Sequence, residues 1–401
     1  MEASNLSGPR LDNRLWQGCF NGRESSLHQL APYVGKLKSG MVRVLLETFT
    51  SPGDLVFDPF CGSGVVALES VLTGRPTIAN DLSPYAYVIT LGKLSAPGSR
   101  SEALRLTEEA LAQVDELAPR IDLSGVPEWV RQFFHPRTLQ ETLVAFELLR
   151  KRENHFLMAC MLGILHHVRP GFLSYPASHV TPYLRPKMYP PEENPHLYAY
   201  RDLRSRLLAK VERAYRRSHL DEGWGKIPYK VFQVNAMLLP IRTESADAIV
   251  SSPPYFGALD YARDNRLRLW FLGVPDWRKL DKALTAKESV YVPQMTQCIA
   301  EMNRVLRPGK YCVLVLGDVY RDGKTRNTAE LVASIASEVS DGQLVTEAIY
   351  NDEIPDIRRS RRRTRTTKIE RILVLRKLPR RAHPQRLQTV LAEDRLAYAL
   401  T

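Results

Sequence analysis

Apolar positions along the first hundred residues change their period repeatedly, and each change marks an element. Between Gly40 and Thr50, the apolar residues Met41, Val44, Leu45 and Phe49 recur at the spacing of one helical face. Ser51-Pro52-Gly53 breaks that pattern. Leu55-Val56-Phe57 follows with no polar face, as a short buried strand would. The turn Cys61-Gly62-Ser63-Gly64 leads into a second helical stretch, Val65 to Leu72. Gly74-Arg75-Pro76 stops it, and Thr77 to Asn80 reads as a second strand ending at Asp81. Strand, turn, helix and strand in that order open a parallel α/β sheet.

The pattern then changes character. Glu102 to Leu117 and Thr138 to Arg150 are amphipathic helices, and Phe156 to Leu165 is apolar on all sides, which predicts a buried helix. Arg169 to Pro191 holds too much proline for regular structure, and Leu197 to Arg217 reads as a strongly basic helix. Strand–helix alternation returns afterwards. Tyr229 to Val234, Ala248 to Val250, Tyr311 to Leu316, Leu344 to Tyr350 and Glu370 to Leu375 are strands. Pro293 to Leu306 is a helix stopped by Arg307-Pro308-Gly309. The expected organisation is one α/β domain in two parts, 1–97 and 226–376. A mainly helical insertion over 98–225, with a part in target recognition, interrupts it, and 377–401 forms a tail.

Composition narrows the class. The chain of 401 residues is 44% hydrophobic and 25% charged, the balance of a globular protein. Its net charge of +12 points to a polyanionic partner. No run of eighteen apolar residues occurs, and Met1 to Arg10 lacks the charged-then-apolar layout of a secretion signal, so a cytoplasmic location without membrane contact is expected. The cysteines 19, 61, 160, 298 and 312 have no zinc-ligand spacing and read as free thiols. His155, His166 and His167 have no carboxylate or cysteine companions, so no metal site is expected.

Gly62-x-Gly64-x-x-Ala67, with Asp81 about twenty residues on, matches a dinucleotide fingerprint, in which glycines let backbone approach a ligand and an acid takes the ribose hydroxyls. Asp58-Pro59-Phe60 shifts the reading. A carboxylate just before the turn repels a pyrophosphate but suits an ammonium group. S-adenosylmethionine has an amine, a sulfonium and a ribose, and no phosphate. Phe60 and Asn235 would pack near that cofactor, Asn235 on the adenine side. NAD is the alternative.

The second motif is Ser252-Pro253-Pro254-Tyr255, at the end of the Ala248–Val250 strand. Ligands bind at such strand ends in open α/β sheets. An exocyclic amine of a nucleobase is a poor nucleophile because its lone pair is delocalised. Acceptors that draw the lone pair out of the ring would activate it. Pro253 offers a carbonyl on a backbone of fixed φ, Ser252 a hydroxyl, and Tyr255 a ring to stack on a base taken out of its duplex.

Together these motifs resemble the DNA amino-methyltransferases, the N4-cytosine and N6-adenine enzymes usually found with restriction systems. Asp58 to Gly64 resembles their first cofactor motif, Asp81 their second, and Ser252 to Tyr255 their catalytic motif. His28 through Leu46 resembles the helical motif that helps hold the donor's methionine end. The likeness spans roughly residues 25–95 and 230–376. It implies a Rossmann-like S-adenosylmethionine-dependent methyltransferase fold of the α/β class, with a mixed, mostly parallel sheet and a mainly helical insertion. Serine in first place is usual among the N4-cytosine members, so the resemblance implies methylation of cytosine N4 in a specific duplex DNA site, with a cognate restriction endonuclease as a candidate partner. N6-adenine methylation, guanine-N2 methylation of RNA, and an inert DNA-binding homologue are the alternatives. For the DNA backbone the candidate is the run Arg358, Arg359, Arg361, Arg362, Arg363 and Arg365. Tyr175, His179, Tyr183, Arg185 and Lys187 interleave aromatic and basic character, as near a flipped base, and Asp260-Tyr261-x-Arg263 would line the target cleft.

Overall fold

The computed structural model describes residues 11–12, 15, 24–167, 171–177, 183–218, 220, 223–254, 261–283, 288–321, 324–353 and 369–379. Its strands are β1 (Val56–Asp58), β2 (Thr77–Asn80), β3 (Tyr229–Phe232), β4 (Ala246–Ser251), β5 (Leu306–Gly317), β6 (Val319–Arg321), β7 (Lys324–Arg326), β8 (Leu344–Glu353) and β9 (Ile369–Lys377). Seven of them form one sheet in the order β3-β2-β1-β4-β5-β9-β8, and β6 and β7 pair separately. Only β9 runs against its neighbours β5 and β8. The chain therefore has a Rossmann-like α/β fold with a mixed, mostly parallel sheet, as the sequence leads one to expect.

Helices α1 (Ser39–Phe49), α2 (Val65–Leu72) and α3 (Pro84–Leu94) belong to the first part of the domain. The insertion supplies α4 (Arg100–Leu117), α5 (Glu128–Arg131), α6 (Pro136–Lys151), α7 (His155–Ile164) and α8 (Leu203–Ala214). After β4 come α9 (Tyr261–Asp264), α10 (Arg266–Phe271), α11 (Trp277–Ala283), α12 (Glu288–Val305) and α13 (Thr328–Val339).

Strand alternation places the two cores. Val56, Val250, Val313 and Val315 face Met41, Leu45, Val65 and Val66 of α1 and α2. Phe57, Ile249, Leu314 and Leu316 face Met295, Ile299, Met302 and Val332 of α12 and α13. Both faces are thus covered, which is why these strands show no polar side in the sequence. Burying a side chain such as Phe57 contributes about 1.5–3 kcal/mol. A third core joins α3 to the insertion. There α3 and α7 approach so closely that a Cβ on Gly92 would lie 2.6 Å from the His155 carbonyl oxygen.

Two segments differ from the expectation. The basic helix over 197–217 is shorter. A 3-10 turn at Pro195–Tyr198 precedes α8, which starts where the Asp202 carboxylate accepts from the Ser205 N–H at 2.7 Å. Its charges are also engaged. Arg201 is buried and donates to carbonyls of Phe172 and Leu197, and Arg204 bridges Glu108 and Asp115. At the other site, Arg307-Pro308-Gly309 lies within β5 rather than in a turn. Ala246 pairs with Leu306 and Ala248 with Tyr311, so residues 307–310 bulge opposite Asp247, and Arg307 donates to the Asp247 carboxylate at 2.7 Å.

Candidate active site

The sheet order reverses at β1, whose neighbours β2 and β4 lead in opposite directions, and the crevice beyond the strand ends lies there. At that edge β1 ends in Asp58. The chain then turns through Pro59 to Ser63 and enters α2 from Gly64, a residue in the left-handed region at φ 69°. A Cβ on Gly64 would also sit 2.6 Å from Thr90 Oγ1, so only glycine fits there. Asn80 at the end of β2 secures the turn, donating to the carbonyls of Pro59 and Val234 and accepting from the Val234 N–H.

Asp81 comes next. Its two carboxylate oxygens accept from the Gly62 N–H and the Ser83 N–H, both at 2.9 Å. Burial raises its pKa to about 6, against the pull of those two donors. Asp81 is half-buried, and Asp58 is fully buried. Burial, with the charge of Asp81 added, raises it to about 7, although the Ser251 hydroxyl and the Phe60 N–H donate to it. Where the charged forms of two neighbouring carboxylates are disfavoured, a cation placed beside them is stabilising.

β4 reaches the same place. Ser251 Oγ donates to Asp58 at 2.6 Å and accepts from the Phe60 N–H at 3.2 Å, which latches the two strand ends together. One residue on, Ser252 Oγ donates its proton to the Val315 carbonyl at 3.1 Å. A hydroxyl has one proton, so toward anything else in the crevice Ser252 is an acceptor. A single pocket is lined by Asp58, Pro59, Phe60, Gly62, Asp81 and Asn235 from the cofactor candidates and by Ser252 and Pro254 from the tetrapeptide. Pro253 is buried beside them, and Asn235 Oδ1 accepts from the Met237 N–H. Tyr255, Asp260, His179 and the run Arg358 to Arg365 lie outside the described residues.

Several further residues line the pocket, and two of them, Tyr33 and Lys36, fall in the stretch His28 to Leu46 whose resemblance implies a part in holding the donor. Lys36 lines it, its pKa lowered by burial, and is placed to meet a ligand carboxylate. Tyr33 lies against Gly62 and stacks on Tyr85 with centroids 5.9 Å apart. Tyr291, Gln294 and Met295 of α12 close the wall opposite. Ser251 could have been suspected, since it immediately precedes the tetrapeptide; α12 could not. Beneath the glycine turn, the buried Lys93 ammonium donates to the Ser63 carbonyl.

These residues fit S-adenosylmethionine. A wall with the buried Asp58 and the half-buried Asp81 opposes a pyrophosphate and suits an amine, a sulfonium and paired ribose hydroxyls. Lys36, which also lines the pocket, carries the opposite charge that an amino acid carboxylate would require. Among the described residues no cluster of histidine, cysteine and acidic side chains could hold a metal ion.

Comparison with known proteins agrees. The family model described as N6_N4_Mtase, DNA methylase, matches residues 11–91, the stretch holding the glycine turn and Asp81. Residues 11–91 are thus similar to a DNA methylase family model. The curated Type II methyltransferase M.MjaII of Methanocaldococcus jannaschii is 33% identical over 72 residues, 18% of this chain and 14% of that protein. The match thus spans about one seventh of the relative's length. Among solved structures, a SAM-dependent methyltransferase from Methanosarcina mazei covers 84% of this chain and 98% of its own, at 14% identity and a TM-score of 0.32. TrmN from Thermus thermophilus covers 88% and 53%, at 12% identity and a TM-score of 0.33. The fold rests on strand order rather than on these distant superpositions. No helix among the described residues is long and apolar enough to cross a membrane.

Proposed function

We propose that the protein is an S-adenosylmethionine-dependent DNA methyltransferase that modifies the exocyclic N4 amine of cytosine in duplex DNA. The observation that carries this reading is the shared pocket: Gly62 and Asp81 of the cofactor motifs line the same crevice as Ser252 and Pro254. When bound, S-adenosylmethionine supplies a methyl group on a positively charged sulfur. Asp58 would take its amine, Lys36 its carboxylate and Asp81 its ribose hydroxyls. Ser252 Oγ, its proton already given to Val315, would accept from the target amine. The Pro253 carbonyl would accept the second N–H. Two acceptors on one amine turn its lone pair out of conjugation and stabilise the positive charge that grows as the new bond forms. Tyr255 would stack on the extruded base. Arg358 to Arg365 would grip phosphates without reading sequence. A cognate restriction endonuclease is the protein partner this reading implies.

The test is to incubate the protein with S-adenosylmethionine and duplex DNA and to analyse the nucleosides by mass spectrometry. The expected product is 4-methylcytosine. 6-Methyladenine would move the target to adenine, methylated guanosine in RNA would move it to another nucleic acid, and no methylated nucleoside would overturn the reading.

A further inference from the structure

β1 and β4 separate where the pocket opens. Their parallel pairing runs from Val56 opposite Ala248 to Phe57 opposite Ile249 and ends there. β1 closes with Asp58 and β4 with Ser251. On its other side β4 stays paired to β5 as far as Ser251 opposite Leu314, and the Ser252 hydroxyl adds a bond to the Val315 carbonyl. The end of β4 is therefore tied to β5 by the backbone ladder, and to β1 beyond their last pair by a side chain. That side chain is Ser251. Its hydroxyl donates to Asp58 Oδ1 at 2.6 Å and accepts from the Phe60 N–H at 3.2 Å, and the same N–H reaches Asp58 Oδ1 at 3.3 Å.

The three groups form a closed triangle, and Ser251 and Asp58 are both buried. A buried hydroxyl costs free energy unless it is bonded, so packing alone would favour alanine or valine at the end of this strand. The triangle also has a direction. Both bonds that Asp58 receives end on Oδ1, and among the described residues Oδ2 receives none. Asp58 lines the pocket, so fixing Oδ1 orients the free oxygen of a carboxylate that a ligand can reach. Phe60 lines the same pocket, and so does Ser252, one residue beyond Ser251. One hydroxyl thus holds an acid on the donor side of the crevice and the start of the tetrapeptide on the target side.

We propose that Ser251 is a positioning residue of the methyl transfer: its hydroxyl aims the Asp58 carboxylate at the donor's amine and holds Ser252 and Pro253 at a fixed reach from the donor. The proposal rests on the methyltransferase reading and adds to it a residue that touches neither substrate. A hydrogen bond to an ionised carboxylate is stronger than one to a neutral amide, so Ser251 acts on donor binding chiefly through the charge of Asp58. Its action on the target side runs through the backbone to Ser252 and does not need that charge. The two effects can therefore be separated.

The test is a double-mutant cycle of S251A with D58N, read by titration calorimetry with S-adenosylmethionine and by single-turnover methylation of duplex DNA. S251A should weaken donor affinity by about 10-fold, the size of one charge-assisted hydrogen bond, and slow methylation by about 10-fold or more, as a misplaced reacting group does. In the D58N background S251A should change donor affinity by less than about 2-fold, since no charge is left to aim, yet still slow methylation. S245A, at the opposite end of β4, where the Ser245 hydroxyl donates to the Arg242 carbonyl, should match the wild type in both assays. Thermal melting checks the fold. If S251A has lost it, S251C, which keeps the volume but bonds weakly, takes its place with the same expectations. Wild-type affinity and rate in S251A or S251C, an equal affinity loss in both backgrounds, or a matching loss in S245A overturns the proposal. A wild type that binds the donor but forms no methylated nucleoside defeats the catalytic reading alone, and a charge-dependent affinity loss in S251A then leaves the role toward Asp58 standing.

Discussion

Asp58 is an acid that the fold keeps at a cost, and replacing it with asparagine should show this. In Asp58→Asn the side-chain amide would keep an acceptor for the Ser251 hydroxyl and the Phe60 N–H but lose the charge. In the folded protein burial raises the carboxyl from 3.8 to about 7. A raised carboxylate pKa means the folded state binds the proton more tightly than the unfolded chain. Its contribution to stability is complete below about pH 4 and is lost progressively until pH reaches about 7. At 1.36 kcal/mol per pH unit, the full loss is about 4 kcal/mol, an upper figure before water entry and relaxation. Asp58→Asn removes that loss. The variant should melt higher than the wild type at pH 8, and the difference should shrink steadily toward pH 4. Calorimetric affinity for S-adenosylmethionine should fall at the same time, because the amine loses its counter-charge. Differential scanning calorimetry from pH 4 to 8, with titration calorimetry at pH 8, checks both halves. A variant less stable than the wild type at pH 8, or one that binds the donor as well as before, would refute the reasoning.

The remaining predictions concern the turns on either side of the pocket. Ser252→Ala removes an acceptor placed at the reacting amine and should lower kcat by about 100-fold, near 2.7 kcal/mol, with donor affinity retained. Single-turnover methylation assays would read it, and unchanged turnover would strip Ser252 of its role. Gly64→Ala puts a Cβ 2.6 Å from Thr90 Oγ1 at φ 69°. It should destabilise by about 1–3 kcal/mol from backbone strain alone, seen in urea titration; Gly53→Ala, where nothing lies within 4 Å, separates the clash from the φ effect.

Much of this arrangement was legible in the chain itself. The α2 and β2 boundaries are those that the breaks at Gly64 and Gly74-Arg75-Pro76 predict. The buried strands announced themselves by apolar runs, since a sheet covered on both faces tolerates no polar side. Local chemistry also marked Asp58, the glycine turn, Asp81 and the tetrapeptide, because a tight turn beside a strand end needs those residue types wherever it occurs. What the chain could not reveal is which distant segments meet. Ser251 gains meaning only when β4 lies beside β1 and its hydroxyl reaches Asp58. Tyr291, Gln294 and Met295 look like ordinary residues of a helix until packing brings α12 against the glycine turn. The basic stretch 197–217 shows the converse: it reads as a strongly basic helix, yet Arg201 is occupied by the Phe172 and Leu197 carbonyls and Arg204 by two acids of α4. Periodicity and turn chemistry act over a few residues and are written in order along the chain. The pairing of charges and the walls of a pocket depend on contacts between distant positions, 96 apart for Arg204 and Glu108 and 193 for Ser251 and Asp58, and only the closed fold decides them.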